Sequence, residues 1–176
     1  MPDQHLGFAW DLYTEDWVQD VSPHGMWYPF PGSAQSGTMD LGHSGGYHVW
    51  MSSQYSPGGW FVCNNPWTGI IYSGQPHVPA NISSQGLGSR HIRIQWKPDL
   101  YGTWINWVIV YKQNPPNEGY HLVQGPLGNE YWHYTGYGAS QVDLTVPYTG
   151  DYWVFLFAHG WDGTWSEAAV DSVNAW

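Results

Sequence analysis

The stretch whose reading decides the fold is DYWVFLFAHGWDGTW, residues 151 to 165. Side chains alternate across a strand, so Tyr152, Val154, Leu156 and Ala158 share one face, and Trp153, Phe155, Phe157 and His159 share the other. Both faces are apolar. A half-buried antiparallel strand shows one greasy and one polar face, so here something other than water must cover the second. The candidates are more of the same chain, a second subunit, or a ligand such as a sugar.

The same alternation recurs outward from this segment. HIRIQWK, residues 91 to 97, puts Ile92, Ile94 and Trp96 on one side and His91, Arg93, Gln95 and Lys97 on the other. WINWVIVYK, residues 104 to 112, groups Ile105, Trp107, Ile109 and Tyr111, with Asn106 and Lys112 opposite, and QVDLTV, residues 141 to 146, separates Val142, Leu144 and Val146 from Gln141, Asp143 and Thr145. Weaker strand signals lie at 7–13, 46–52, 59–63, 68–72, 120–124 and 130–134, divided by turn-forming SPGG, NNP, NPPN, GPLGN and YTGD. No long run carries a helical apolar stripe, and EAAVDSVNA near the end allows at most one or two helical turns.

About eight to ten short strands with regular punctuation predict an all-β chain folded as a single β-sandwich. A jelly roll is the expected form, with an immunoglobulin-like sandwich open for residues 90 to 173. Residues 1–45 differ in texture, mixing aromatics with Pro, Gly and Ser, and read as an extended N-terminal arm lying on the sandwich or on a neighbouring subunit. Residues 46–176 then form the sandwich domain.

Composition narrows the function. Charged residues make up 10% of the 176 residues, against about 25% in typical usage, while Trp, Tyr and Phe supply 18%. The net charge is -10, and all four bases, Arg90, Arg93, Lys97 and Lys112, fall in one central window flanked by segments with acids only. Nucleic acid is excluded as a direct partner, because affinity for it comes from many Lys and Arg contacts to phosphate. Cys63 is alone, so no intrachain disulfide is expected. MPDQHLGFAWDLYTED lacks the basic and apolar regions of a signal peptide, and no stretch approaches the roughly 18 apolar residues of a membrane-crossing helix.

No catalytic, cofactor or metal site is expected. The chain has no GxSxG elbow, no HExxH or paired-Cys motif and no phosphate-cradling Gly loop, and nothing marks Cys63 as a reactive thiolate. Of the nine His, His43 and His48 flank a Gly-rich turn, Glu130 and His133 would share a face only on a helix, and His159 reads as a packed imidazole. The Trp- and Tyr-rich texture is similar to that of small jelly-roll xylanases, which would make Glu130 in NEYWHY and Glu167 in TWSEAA the two carboxylates of a glycoside hydrolase. That is the third reading.

Sugar binding is the second. Pyranose rings stack on aromatic faces, and Trp60, Trp67, Trp132, Trp161 and Trp165 are loop candidates, with Asp162 in the turn WDGT placed to meet a hydroxyl. The carbohydrate site of such a lectin or binding module would be Trp161, Asp162 and Trp165.

The first reading is structural, since large obligate interfaces are apolar and aromatic with Lys, Glu and Asp depleted. In size, all-β pattern and the closing stretch VPYTGDYWVFLFAHGWDGTW, the chain resembles the small single-jelly-roll major capsid proteins of tailless icosahedral phages with an internal membrane, found in phages of thermophilic bacteria. The resemblance implies a homodimer, open to strand or arm exchange, packing with a companion capsid protein into a shell over the membrane, made in the host cytoplasm and located in the virion. It implies no catalytic residues and no cofactor. Interface candidates are then Trp153, Phe155 and Phe157 on the second apolar face, and Arg90, Arg93 and Lys97 as bases facing a neighbour's acids.

Overall fold

Period-two alternation dominates the sequence, and the described residues respond with fourteen strands. A computed structural model describes residues 2–18, 27–55, 59–62, 67–113, 120–122 and 133–176. The strands of the first half are β1 (Gln4–Asp11), β2 (Asp16–Trp17), β3 (Tyr28–Pro31), β4 (Gly45–Tyr55), β5 (Gly59–Val62) and β6 (Trp67–Ile71). Those of the second half are β7 (Ala80–Gly88), β8 (His91–Lys97), β9 (Thr103–Gln113), β10 (Tyr120–Leu122), β11 (His133–Tyr134), β12 (Gln141–Thr145), β13 (Gly150–Gly160) and β14 (Ala169–Ala175). Among the described residues no helix is long and apolar enough to cross a membrane.

Residues 80–175 build an antiparallel β-sandwich. One sheet has the order β12-β8-β7, and the other β10-β9-β13-β14, with β11 also pairing β9. The inward residues predicted from alternation meet between them: Ile92, Ile94, Trp96, Leu144 and Val146 from the first sheet pack against Val108, Val110, Tyr152, Val154, Leu156 and Val173 from the second. Burying these branched and aromatic side chains is the main stabilising term of the fold.

The connectivity follows the immunoglobulin-like alternative rather than a jelly roll's two four-stranded sheets. A local feature agrees. Near the start of β13 the buried Tyr152 donates its hydroxyl to the carbonyl of Tyr148, 2.7 Å away and four residues upstream, the tyrosine corner of Greek-key sandwiches. Ser89 and Arg90, both with positive φ (51° and 64°), turn β7 tightly into β8.

Two elements differ from their sequence reading. EAAVDSVNA is no helix: β14 runs along β13, because Ala169, Val173 and Ala175 alternate inward and the pairing overrides alanine's helical propensity. Strand β7, ANISSQGLG, carried no strand signal because its alternating residues are mostly small and polar.

The texture boundary at residue 45 coincides with the start of β4, but strands on either side of it share one sheet. Its order is β2-β1-β4-β5, with β3 also on β1 and β6 also on β4, so residues 4–31 contribute three strands. One face of this sheet packs Ala9, Tyr47, Val49 and Ile71 against Val18 and Leu41. The other carries Phe8, Trp10, Trp17 and Trp50 in edge-to-face or tilted contacts with centroids 5.3 to 6.3 Å apart.

The N-terminal sheet meets the loop end of the sandwich through polar links that run from buried to exposed. Ser44 donates its hydroxyl to the carbonyl of Gly102, the amide of Ala80 donates to the Tyr13 hydroxyl, and Gly74 N–H donates to Asp162. At the centre, His77 lies between two aspartates, with Nε2 2.6 Å from Asp11 Oδ2 and Nδ1 3.2 Å from Asp99 Oδ2.

Candidate functional site

Strand β13 resolves the two-faced puzzle on one side. Tyr152, Val154, Leu156 and Ala158 are all about 1% exposed or less and face the core. Trp153, Phe155, Phe157 and His159 point outward and are only half-buried. Register places Trp153 opposite Tyr111, Phe155 opposite Ile109 and Phe157 opposite Trp107, so the outer face of β9 is apolar as well. The large residues of WINWVIVYK thus face outward, and Asn106, Val108 and Val110 face the core.

The result is an open groove of about 570 Å³ lined by Ile109, Tyr111, Trp153, Phe155, Phe157 and Val170. None of these side chains is charged. The strands of the N-terminal half form their own sheet and do not lie on this face among the described residues.

Toward the loop end the same face changes character. Tyr134 packs on Trp107 at a centroid distance of 5.5 Å, Trp107 on Trp165 at 6.0 Å, Trp165 on His159 at 4.4 Å, His159 on Trp104 at 5.7 Å and Trp104 on Trp161 at 6.4 Å. Tyr137 and Tyr72 flank Trp161 at 5.7 and 6.0 Å. These rings form a continuous strip, and Trp104, Tyr134, Tyr137, Trp161, Trp165 and Tyr72 are 43 to 60% exposed. Only Trp161 and Trp165 of this strip were singled out from sequence. Tyr72, Trp104, Tyr134 and Tyr137 were missed because they come from three separate segments.

The turn Trp161-Asp162-Gly163-Thr164 holds the strip's end in place. Asp162 accepts from the amide and hydroxyl of Thr164 (3.0 and 2.6 Å) and from the amide of Gly74 (2.8 Å). These bonds, Thr164's first, hold its carboxyl below the ordinary value. Asp162 therefore works as a turn brace, and its lone pairs are largely committed to the protein. Thr164 completes the brace by donating its hydroxyl to the carbonyl of Gly74.

The three candidate bases lie elsewhere. Arg93 pairs with Asp143 in a two-bond fork (2.8 and 2.7 Å), Lys97 reaches Glu15 (2.9 Å) and the carbonyl of Tyr13 (2.6 Å), and Arg90 donates to the carbonyl of Pro147 (2.8 Å). Arg93 and Lys97 project from β8 opposite to Ile92, Ile94 and Trp96, on the far side of the sandwich from Trp153, Phe155 and Phe157. The structure does not bring the two groups of interface candidates together.

Of the other sequence candidates, His43 stacks on His77 with centroids 4.6 Å apart, and His48 bonds Thr68 through Nδ1 at 2.8 Å. His159 is a link in the aromatic strip. Glu167 is exposed just before β14, and Trp67 is exposed on β6. Cys63, Glu130 and Trp132, with the side chain of Trp60, lie outside the described residues. Among the described residues no group of three His, Cys, Asp or Glu is placed to hold a metal ion.

Among the described residues, two groups near Asp11 and Asp99 are strongly perturbed: burial pushes the Tyr47 hydroxyl well above its ordinary value, and His77 is shifted as well. Burial alone would lower its pKa, but the hydrogen bonds and charges of Asp11 and Asp99 outweigh burial and raise it to about 9. Burial likewise opposes ionisation of Asp11, yet His77 and the amides of Tyr13 and Thr14 bring its pKa below the ordinary value. Asp11–His77–Asp99 is thus a charged joint between the two halves of the chain, with both ring nitrogens engaged by carboxylates.

The sequence matches no protein-family model and no curated protein. Among solved structures, it is similar to a two-domain fibronectin type-III segment of chicken tenascin, at 15% identity and a TM-score of 0.46, over 99% of this chain and 86% of that one. It is also similar to the FN1-FN3 domains of chicken CNTN1, at 13% identity and a TM-score of 0.44. That match covers 99% of this chain, which spans about half (54%) of the CNTN1 chain's length.

Proposed function

We propose that the protein is a non-catalytic structural subunit that assembles with further copies of itself through the outer face of β9 and β13, as the coat subunit of a virus of the kind its sequence resembles. The carrying observation is the open apolar groove of Ile109, Tyr111, Trp153, Phe155, Phe157 and Val170. Its aromatic walls are half-buried, with Val170 exposed at the rim, and contiguous apolar surface that reaches solvent marks interaction sites.

A second copy is the favoured occupant on charge grounds. A chain of net charge -10 repels its own copies over most of its surface, and an uncharged face is where two of them can meet without opposed carboxylates. Two such faces related by a twofold axis are self-complementary, which suits the commonest form of assembly. In the coat, the companion capsid protein and the internal membrane would then be neighbours of the assembled unit.

Light scattering on size-separated protein tests this reading. The wild type is expected at a multiple of its 20.0 kDa chain mass. Phe155→Glu is expected to elute as a folded monomer, because a shared face would bring two new carboxylates together in an apolar setting. A wild type that stays monomeric at high concentration contradicts the reading.

A further inference from the structure

We infer that the aromatic strip at the loop end of the outer sheet face is a binding platform for a neutral, linear polysaccharide, at a site distinct from the assembly groove and independent of it. The platform is Trp104, Trp161 and Trp165, extended by Tyr72, Tyr134 and Tyr137.

Three observations carry this assignment. Four of the six residues lining the groove beside Phe155 are Ile, Val or Phe, whereas the exposed rings of the strip are all Trp or Tyr, which offer an apolar face together with an N–H or O–H at the edge. That combination suits the alternating C–H patches and hydroxyls of a pyranose. Second, Tyr72, Tyr137 and Trp104 each lie 5.7 to 6.4 Å from Trp161, and less exposed His159 and Trp107 link these rings to Trp165 and Tyr134, so successive sugars of one chain can lie across a half-exposed surface.

Third, the local charge selects a neutral ligand. Asp162 beside Trp161 is held ionised by Thr164 and Gly74, and Arg90, Arg93 and Lys97 are engaged on other parts of the molecule. An acidic glycan or a nucleic acid strand would meet repulsion without compensation. The backbone that carries the rings is also tied down before any ligand arrives. Gly160 N–H donates to the carbonyl of Thr164 (2.8 Å), Ser166 N–H to that of Ala158 (2.9 Å) and Thr135 N–H to that of Asn106 (2.9 Å). Rings packed on one another over a fixed backbone lose little conformational freedom on binding.

Affinity electrophoresis in native gels containing hydroxyethylcellulose, xylan, galactomannan or laminarin, with alginate as the acidic arm, tests the proposal on the full chain. Retardation by at least one neutral polymer and none by alginate is expected. Trp104→Ala or Trp161→Ala should weaken the retardation by about two- to tenfold each, and Phe155→Glu should retain it. The assignment is overturned if no neutral polymer retards the protein, if alginate retards it equally, if the Trp104→Ala/Trp161→Ala pair leaves retardation unchanged, or if Phe155→Glu abolishes it. Should the paired variant fail to fold, titrating the wild type with the retarding polymer decides the question: tryptophan emission must shift and saturate, and unchanged emission overturns the assignment.

Discussion

Phe155 of β13 lies directly opposite Ile109 of β9 on the outside of the sandwich, while their chain neighbours Leu156 and Val108 form the matching pair inside it. Two adjacent residues of one strand therefore have different jobs. Truncation of Leu156, fully buried among branched neighbours, removes core contacts and leaves a cavity. Leu156→Ala should cost about 2–5 kcal/mol in urea unfolding, while Phe155→Glu should change unfolding of the isolated monomer by about 1 kcal/mol or less. Equal losses would mean that the outer face is part of the monomer's core.

The joint predicts how stability depends on pH. A folded-state pKa raised to about 9 from 6.5 means that the His77 contribution is complete below pH 6.5 and is lost as pH rises through 9. The Asp11 pKa is depressed, so its contribution is present above 3.8 and is lost as pH falls through the folded value. His77 also faces Asp99, Tyr13 and His43. Stability from this joint should therefore plateau between about pH 4 and 6.5. Chemical denaturation across pH 3 to 10 should show the alkaline loss in the wild type and not in His77→Gln.

Removal of the imidazole altogether leaves Asp11 and Asp99 buried near one another without a cation. His77→Ala should destabilise by about 3–5 kcal/mol, the scale seen when one partner of a buried ion pair is removed. Thermal melting checks this, and a loss below about 1 kcal/mol would show that water replaces the cation there.

Close backbone approach at the same joint explains Gly102. A Cβ at this position would come within 2.4 Å of the Ser44 carbonyl oxygen and 2.5 Å of Asp99 Oδ2. Gly102→Ala must push the β8–β9 connection away from residue 44, at a cost of about 1–3 kcal/mol by the scale of overpacking. Faster amide exchange at Ser44 and Gly102 would accompany the lower melting temperature.

The Asp162 brace predicts a local effect rather than a global one. Asp162→Ala removes the acceptors of the Gly74 and Thr164 amides, both at an exposed turn. Exchange protection at these two amides should fall while the core amides of β13 keep theirs.

Much of the sandwich was legible because its signal is local. Ile92, Ile94 and Trp96, or Tyr152, Val154 and Leu156, announce their shared face within a single strand, and that face is the core. The topology was less legible, although LTVPYTGDY does contain the tyrosine corner, with Tyr152 four residues after Tyr148. Strand β7 was hidden by small polar residues, and β14 by two helix-favouring alanines. On β9 the period was legible and the facing was not: Trp107 and Tyr111 look like core residues, and only the register against β13 places them outside. The aromatic strip draws on residues from 72 to 165, which no local pattern can assemble. The bases of the central window looked like partners for another chain because Asp143, Glu15 and Pro147, their actual partners, are distant in sequence.

The central claim is that a second copy of this chain covers the Phe155 face, and photo-crosslinking from that position tests it most directly. With p-benzoylphenylalanine in place of Phe155, irradiation should give a covalent species of twice the chain mass, whose adducts map to β9 and β13 of the other copy. Irradiation that yields only monomer, or adducts confined to other surfaces, would contradict the account.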